Sequence, residues 1–166
     1  IIGIGGGTVI DISKYLASTL KKRLVVIPTI LSTNAFATAK TTTRKVVKQG
    51  SIDSKIPEQV IIDLEILKRF NIAGAGDILS IYTAHYDWQL YNKDLPQGFN
   101  DDTYDISIAN IALSLLKSLD ENAKEIRENS YEGLQALAEL LVISGHLTSM
   151  YGSGRPESGS EHLFSN

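Results

Sequence analysis

Ile1-Ile2-Gly3-Ile4-Gly5-Gly6-Gly7-Thr8-Val9-Ile10-Asp11 joins an apolar run to a glycine turn and then to a helical repeat. Ile1 to Ile4 have the character of the end of a buried strand, and the three glycines that of a tight turn. Thr8 opens a predicted helix. Its spacing to Asp11 fits a capping box, and Val9, Ile12, Tyr15 or Leu16, and Leu20 make one apolar stripe at helical spacing. Lys21-Lys22-Arg23 suit the C-terminal end of that helix through its dipole. Leu24-Val25-Val26-Ile27 is a short all-apolar run, as in a strand buried on both faces, and Pro28 closes it. Strand, turn, helix and strand in that order imply a parallel sheet.

Further along, Thr41 to Val47 is rich in Thr and Val and predicts a strand, Gln49-Gly50-Ser51 a turn, and Gln59 to Asp63 another strand. Beyond Asn71 no strand pattern occurs. Gly74-Ala75-Gly76-Asp77 leads into a helix to about Asn92, Leu95-Pro96-Gln97-Gly98 is a loop, and Asp101 to Leu119 and Ser130 to Met150 are clear helical stretches. The expected division is therefore an α/β part over residues 1–72 and an all-helical part over residues 73–166. The chain starts without Met and stops just after a dense polar stretch, so both ends are expected to continue in a longer protein.

Composition narrows the function. With 43% apolar and 21% charged residues, the sequence has the balance of a folded globular protein. A net charge of -3 offers no electrostatic footprint for nucleic acid or an anionic membrane. No apolar run approaches a membrane span and no signal peptide is visible, which makes a cytoplasmic enzyme the expectation. The absence of Cys leaves imidazole and carboxylate as the ligands any metal would use.

Three places could carry chemistry. Glycines between a buried strand and a helix N-terminus let a phosphate reach free backbone N–H groups. They serve equally well for a sharp turn alone, and Thr8 stands where G-x-G-x-x-G needs its third glycine. Asp77 follows Gly74-Ala75-Gly76 and is placed to cap a helix, which by itself accounts for it. His162 lies in a stretch from Gly152 to Asn166 that gathers glycines, hydroxyls, Arg155 and two Glu, a composition rarely made for packing. His85 and His146 fall inside helices and read as structural, Asp87 as an ordinary helix residue, and Trp88 as core.

Taken in order, Gly5-Gly6-Gly7-Thr8-Val9-Ile10-Asp11, Ile27-Pro28-Thr29-Ile30-Leu31-Ser32-Thr33, Gly74-Ala75-Gly76-Asp77-Ile78-Leu79-Ser80 and Gly154-Arg155-Pro156-Glu157-Ser158-Gly159-Ser160-Glu161-His162 resemble a known superfamily. It comprises glycerol dehydrogenases, iron-containing alcohol dehydrogenases and dehydroquinate synthases. The last motif is most similar to the sn-glycerol-1-phosphate dehydrogenase branch. The resemblance implies a dehydroquinate synthase-like fold, with a Rossmann-like nucleotide-binding part, a helical part and the active site between them. It implies that Gly6, Gly7, Thr8, Val9, Ile10 and Asp11 hold the pyrophosphate of NAD or NADP, with Thr29, Ser32 and Thr38 along the cofactor. Asp77 and His162 fall on two ligands of a Zn²⁺ (alternatively Fe²⁺ or Ni²⁺) ion, both counted as catalytic, and the third ligand would lie beyond Asn166.

The substrate expected from the resemblance is a polyol or polyol phosphate, met by Asn34, Asp77 and Asn166, in a homo-oligomer. Relatives often carry Asp at position 34 and His at position 166. An Asn can bond a hydroxyl at either place but cannot accept a proton. Arg155 is a candidate partner for a substrate phosphate. A dehydroquinate synthase-like lyase is the runner-up, although the extra basic residues it needs for a phosphate leaving group do not stand out. A nucleotide-binding module without catalysis is the third reading.

Overall fold

The computed structural model describes residues 1–44, 49–69, 73–94 and 103–160. The nucleus of the α/β part is a three-stranded parallel sheet of β1 (Ile2–Gly5), β2 (Val25–Pro28) and β5 (Gln59–Val60), in that spatial order. Its register sets Ile2 beside Val25 and Val25 beside Gln59. The crossover from β1 to β2 is helix α1 (Gly7–Thr19). A separate antiparallel pair, β3 (Lys40–Arg44) and β4 (Gln49–Asp53), lies beside α1, with Lys40 opposite Asp53 and Arg44 opposite Gln49.

Helix α1 sits close to the sheet, and this closeness overturns the expected stripe. A Cβ on Gly3 would stand 2.5 Å from Ser13 Oγ, so only small side chains fit between strand and helix. The buried row is accordingly Ile10, Ser13, Lys14 and Ala17, while Val9, Ile12, Tyr15, Leu16 and Leu20 are all exposed. Both rows have helical spacing; the residues thin enough for the contact take the inner one. One face of the sheet is also open, with Ile2 68% and Ile4 58% exposed. Val25 and Ile27 are for the same reason half-buried rather than enclosed on both faces.

Several local expectations shift. The helix begins at Gly7 with Gly6 as its cap and no side-chain cap bond, so Thr8 and Asp11 form no capping box. Lys21-Lys22-Arg23 come after the last turn rather than within it. Gln49-Gly50-Ser51 belongs to a strand, since the antiparallel register shows the chain already reversed by Gln49. Strand β5 is shorter than residues 59–63, because Asp63 turns to cap the short helix α2 (Leu64–Leu67) with its carboxylate on the N–H groups of Glu65 and Ile66.

The remainder of the described chain is helical: α3 (Ala75–Asp94), α4 (Ile106–Glu121), α5 (Ala123–Arg127) and α6 (Tyr131–Tyr151). Helix α4 starts later than residue 101, where Asp105 accepts from the N–H groups of Ser107 and Ile108. Ser130 caps α6 by accepting from Gly133 N–H, and Gly152 ends it in the left-handed conformation. Residues 95–98 lie outside the described segments. One apolar core runs through both parts of the chain, from Ile10, Leu24, Val26, Leu31 and Phe36 to Ile78, Leu115, Leu134 and Leu141. Trp88, 1% exposed, is buried as expected. At the expected boundary Gly74 N–H donates to Leu31 O at 2.7 Å, which anchors the start of α3 to the segment after β2.

Glu58 closes the sheet at the far side of β2. Leu24 N–H donates to Glu58 Oε2 at 2.5 Å and Glu58 N–H returns a bond to Leu24 O at 3.0 Å. The Leu24 N–H, followed by Lys55, holds the Glu58 carboxyl down at about 2 from its usual 4.5. A depressed carboxyl contributes stability above its unfolded pKa and loses it as the pH falls through the folded one. Glu58→Gln should therefore flatten the fall in urea midpoint between pH 4.5 and about 2. The change should be modest, because solvent screens an exposed pair. A variant as acid-sensitive as the parent would show that this bond does not hold the strand edge.

Candidate active site

A cleft of about 870 Å³ is lined by the start of α1, by residues 32–42, by the first turns of α3, and by the end of α6 with the turn that follows it. Gly7, Thr8, Asp11, Ser32, Asn34, Thr38 and Asp77, separated by up to seventy positions in sequence, all face it. His162 and Asn166 lie outside the described residues.

The α1 side of the cleft fits an anion. Gly5 has φ +154°, and a Cβ there would stand 2.8 Å from Val9 Cβ, so the turn leaving β1 requires glycine. Ile10 N–H already donates to Gly6 O at 3.1 Å and its side chain is in the core. That leaves the N–H groups of Gly7, Thr8 and Val9 without intrahelical acceptors and without a side-chain cap, at the positive end of a helix of thirteen residues. This is the donor set a pyrophosphate takes. Thr29, at the end of β2, uses its N–H on Gly5 O at 3.1 Å and thereby pins the glycine turn.

Beneath this wall is a feature the sequence reading passed over. Lys14 is fully buried, and its ammonium donates to Ala35 O at 2.9 Å, to Thr38 O at 3.3 Å and to Lys40 O. It also stands 3.0 Å from Asp11 Oδ1. Three carbonyls take up the three ammonium protons, so Oδ1 is compensated in charge but receives no directed hydrogen bond. Asp11 Oδ2 accepts from Thr42 N–H at 3.2 Å. Burial pushes the Lys14 pKa below its usual value, and the Asp11 carboxylate works against that. The Asp-x-x-Lys spacing was the available signal, since side chains three apart share a helix face.

On the opposite wall Asp77 lies in the first turn of α3, which starts two residues earlier, so it is not the cap. Among the described residues no three His, Asp or Glu side chains converge. Asp77 is a hard oxygen donor facing the cleft, as a divalent cation requires. The Ser80 hydroxyl, one turn on, lies 2.7 Å from both Asp77 O and Glu157 O, its one proton shared between them, and ties α3 to the turn after α6. Glu157, also unrecognised in the sequence, accepts through Oε2 from Asn34 Nδ2 at 2.5 Å and from Ser144 Oγ. Farther out, Arg155 lies over the Tyr91 ring at 4.1 Å. Asp87 accepts from Ser160 N–H at 2.5 Å, which gives this helix residue an anchoring role beyond the one expected. His85 contacts Gln89 and Tyr104, in keeping with structure, while His146 is exposed and bonds Val142 O rather than packing among apolar neighbours.

The sequence pattern of iron-containing alcohol dehydrogenases matches residues 1–70. Glycerol-1-phosphate dehydrogenase (NAD(P)+) of Aeropyrum pernix is 37% identical over 168 residues, covering 99% of this chain and 46% of its own length. The chain is thus similar to iron-containing alcohol dehydrogenases over residues 1–70 and to glycerol-1-phosphate dehydrogenases over nearly its whole length. The enzyme of the same name from Sulfolobus acidocaldarius is 39% identical over 170 residues, again covering 99% of this chain and 46% of the relative. Among solved structures, glycerol dehydrogenase of Schizosaccharomyces pombe superposes with a TM-score of 0.69 at 21% identity, over 96% of this chain and 41% of that one. An iron-containing alcohol dehydrogenase of Thermotoga maritima gives 0.64 at 16% identity, over 92% and 45%. The fold of these enzymes, with a parallel α/β part followed by helices, is thus the fold of this chain. The chain spans just under half the length of the relatives it matches.

Proposed function

We propose that the protein containing this chain is a metal-dependent, NAD(P)-linked dehydrogenase acting on the CH–OH group of glycerol 1-phosphate or a closely related polyol. The observation that carries this reading is a single cleft that joins the open N-terminus of α1 to Asn34 and Asp77. The names of the relatives support it. Residues 1–72 and 73–166 are the corresponding nucleotide-binding and metal- and substrate-binding portions. No helix among the described residues is long and apolar enough to cross a membrane. A cytoplasmic homo-oligomer is the assembly we propose.

In this reading the Gly7, Thr8 and Val9 N–H groups bind the cofactor pyrophosphate, with Gly6 in the turn, Asp11 facing the same side of the cleft, and Ser32 and Thr38 along the nucleotide. Asp77, with His162, holds the metal. Asn34 meets a substrate hydroxyl. A metal held by Asp77 and His162 would supply Lewis acidity toward an alcohol oxygen, and a nicotinamide cofactor held at the N-terminus of α1 would supply hydride-transfer chemistry. Lys14 keeps residues 35–40 against α1, which fixes that side of the cleft.

Gly7 offers a direct test of the cofactor wall. A Cβ there would stand 3.5 Å from Thr33 Oγ1, an ordinary contact, so the fold tolerates a side chain where an anion would not. Gly7→Val in the full-length protein should weaken NAD(P)H binding about ten-fold or more, the worth of one lost charge-assisted hydrogen bond, with metal content unchanged. Unaltered affinity would remove the pyrophosphate from this turn.

The substrate is decided by comparing kcat/KM for dihydroxyacetone phosphate and dihydroxyacetone with the full-length protein. A bound phosphate gathers several charge-assisted bonds of about 1.5–3 kcal/mol each, so the phosphorylated ketone should be preferred by about a hundred-fold or more. Equal values, or preference for the unphosphorylated ketone, would move the assignment to a glycerol or other alcohol dehydrogenase. A failure to oxidise or reduce either pair with net NAD(P)H turnover would favour a lyase of the dehydroquinate synthase type.

A further inference from the structure

The Asn34 amide can be oriented by hydrogen-bond inventory alone. An ionised carboxylate only accepts, so whatever part of Asn34 meets Glu157 Oε2 must be its NH₂ end. Ser144 has one hydroxyl proton, and it goes to the same Glu157 oxygen. Ser144 Oγ can then only accept from its other neighbour, which is again Asn34 Nδ2, at 3.2 Å. Both neighbours demand donors, and they lie against each other on one side of Nδ2, so they share one amide proton and hold the NH₂ end in place. The opposite end of the amide is Oδ1, an acceptor, on a residue lining the cleft.

The holder of this arrangement is itself firmly placed. Glu157 N–H donates to Gly154 O at 3.1 Å, and Glu157 O accepts from Ser80 Oγ, which also bonds the carbonyl of Asp77. Residues from the segment after β2, from α3 and from α6 therefore meet around Glu157, tied to it through its carboxylate and its backbone carbonyl. A free amide at position 34 could present either end to a ligand. Fixed by Glu157, it presents an acceptor beside a negative charge, a surface that welcomes a hydroxyl and repels a phosphate.

We infer that Glu157 is a positioning residue that turns the Asn34 amide oxygen into the cleft, so that this part of the site reads an uncharged hydroxyl of the substrate and excludes its phosphate. The inference deepens the dehydrogenase reading and rests on it for the identity of the ligand. With Glu157 in contact, a carboxylate at position 34 would face another carboxylate with no proton between them.

That consequence is the test, made on the full-length protein. Asn34→Asp alone should raise KM for dihydroxyacetone phosphate about ten- to hundred-fold, the range of a hydrogen bond to a charged group, with kcat much less affected, and should lower Tm. The exchange Asn34→Asp with Glu157→Gln restores a donor facing an acceptor and leaves an acceptor toward the cleft. It should bring both KM and Tm back close to the parent values. A merely structural Glu157 would let Tm recover without KM. Full tolerance of Asn34→Asp, or an exchange that rescues neither quantity, would overturn the inference. Tm is read without turnover, so the two proposals separate. A rescued Tm in a protein that reduces neither ketone would sink the dehydrogenase reading and the substrate hydroxyl with it, while the Asn34–Glu157 pairing would stand.

Discussion

Replacing Asp77 with Asn in the full-length protein is expected to abolish most metal binding and to lower kcat/KM by about 10²- to 10³-fold. That loss corresponds to the several kcal/mol that Lewis-acid stabilisation supplies at a catalytic metal. The side chain keeps its size and one oxygen but loses the charge that a divalent cation needs. The competing account of Asp77 is purely structural, because it lies in the first turn of α3 where a carboxylate favours the helix dipole. That role is worth only about 0.3–1 kcal/mol of stability and leaves chemistry untouched. The two accounts diverge on one preparation. Bound zinc or iron per subunit, NAD(P)H affinity and the unfolding midpoint should show metal lost, cofactor affinity retained and stability nearly unchanged. Full metal content with full activity would reduce Asp77 to a helix residue and take the metal assignment with it.

The parts of the site that were legible in the sequence are those whose chemistry is local. Gly5-Gly6-Gly7 between an apolar strand and a helix can be read from neighbours alone, because the turn and the open N–H groups arise within a few residues. Asp77 is marked in the sequence by its glycines and lines the cleft, although its position inside the helix differs from the cap that those glycines suggest. Glu157 was hidden for a different reason. Its meaning depends on Asn34 and Ser144, far away in the chain, and no spacing rule links them. The polar turn after α6 signalled function as a whole without showing which of its members mattered.

The misread face of α1 has another lesson. Amphipathic spacing identified the helix but not which side faced inward, since two rows had the right period and the larger side chains drew the assignment. What decides is the distance between helix and sheet at Gly3 and Ser13, which hydropathy does not encode. The same choice of side buried Lys14. By composition a lysine in a helix belongs in solvent, so nothing short of the tertiary arrangement would place it under the α1 wall of the cleft.

Lys14 is therefore where the largest effect on stability is expected. Lys14→Met removes one member of a buried pair and strands the other. Asp11 Oδ1 loses its compensating charge, and the carbonyls of Ala35, Thr38 and Lys40 lose their common donor. Breaking a buried pair in this one-sided way costs about 3–5 kcal/mol, more than the longer apolar contacts of Met return. Urea unfolding of the full-length protein measures it, and a loss under about 1 kcal/mol would be no more than an exposed pair gives. The pH dependence supplies an independent check. Because burial depresses the Lys14 pKa, the unfolded chain holds the proton more firmly over the range just below the ordinary value of 10.5. Stability of the parent protein should consequently gain from this group as the pH climbs toward 10.5, and the variant should lack that gain. Cofactor affinity should fall together with stability, since residues 35–40 would no longer be drawn against α1. A variant that unfolds early yet binds NAD(P)H as the parent does would confine Lys14 to the core and detach it from the cleft.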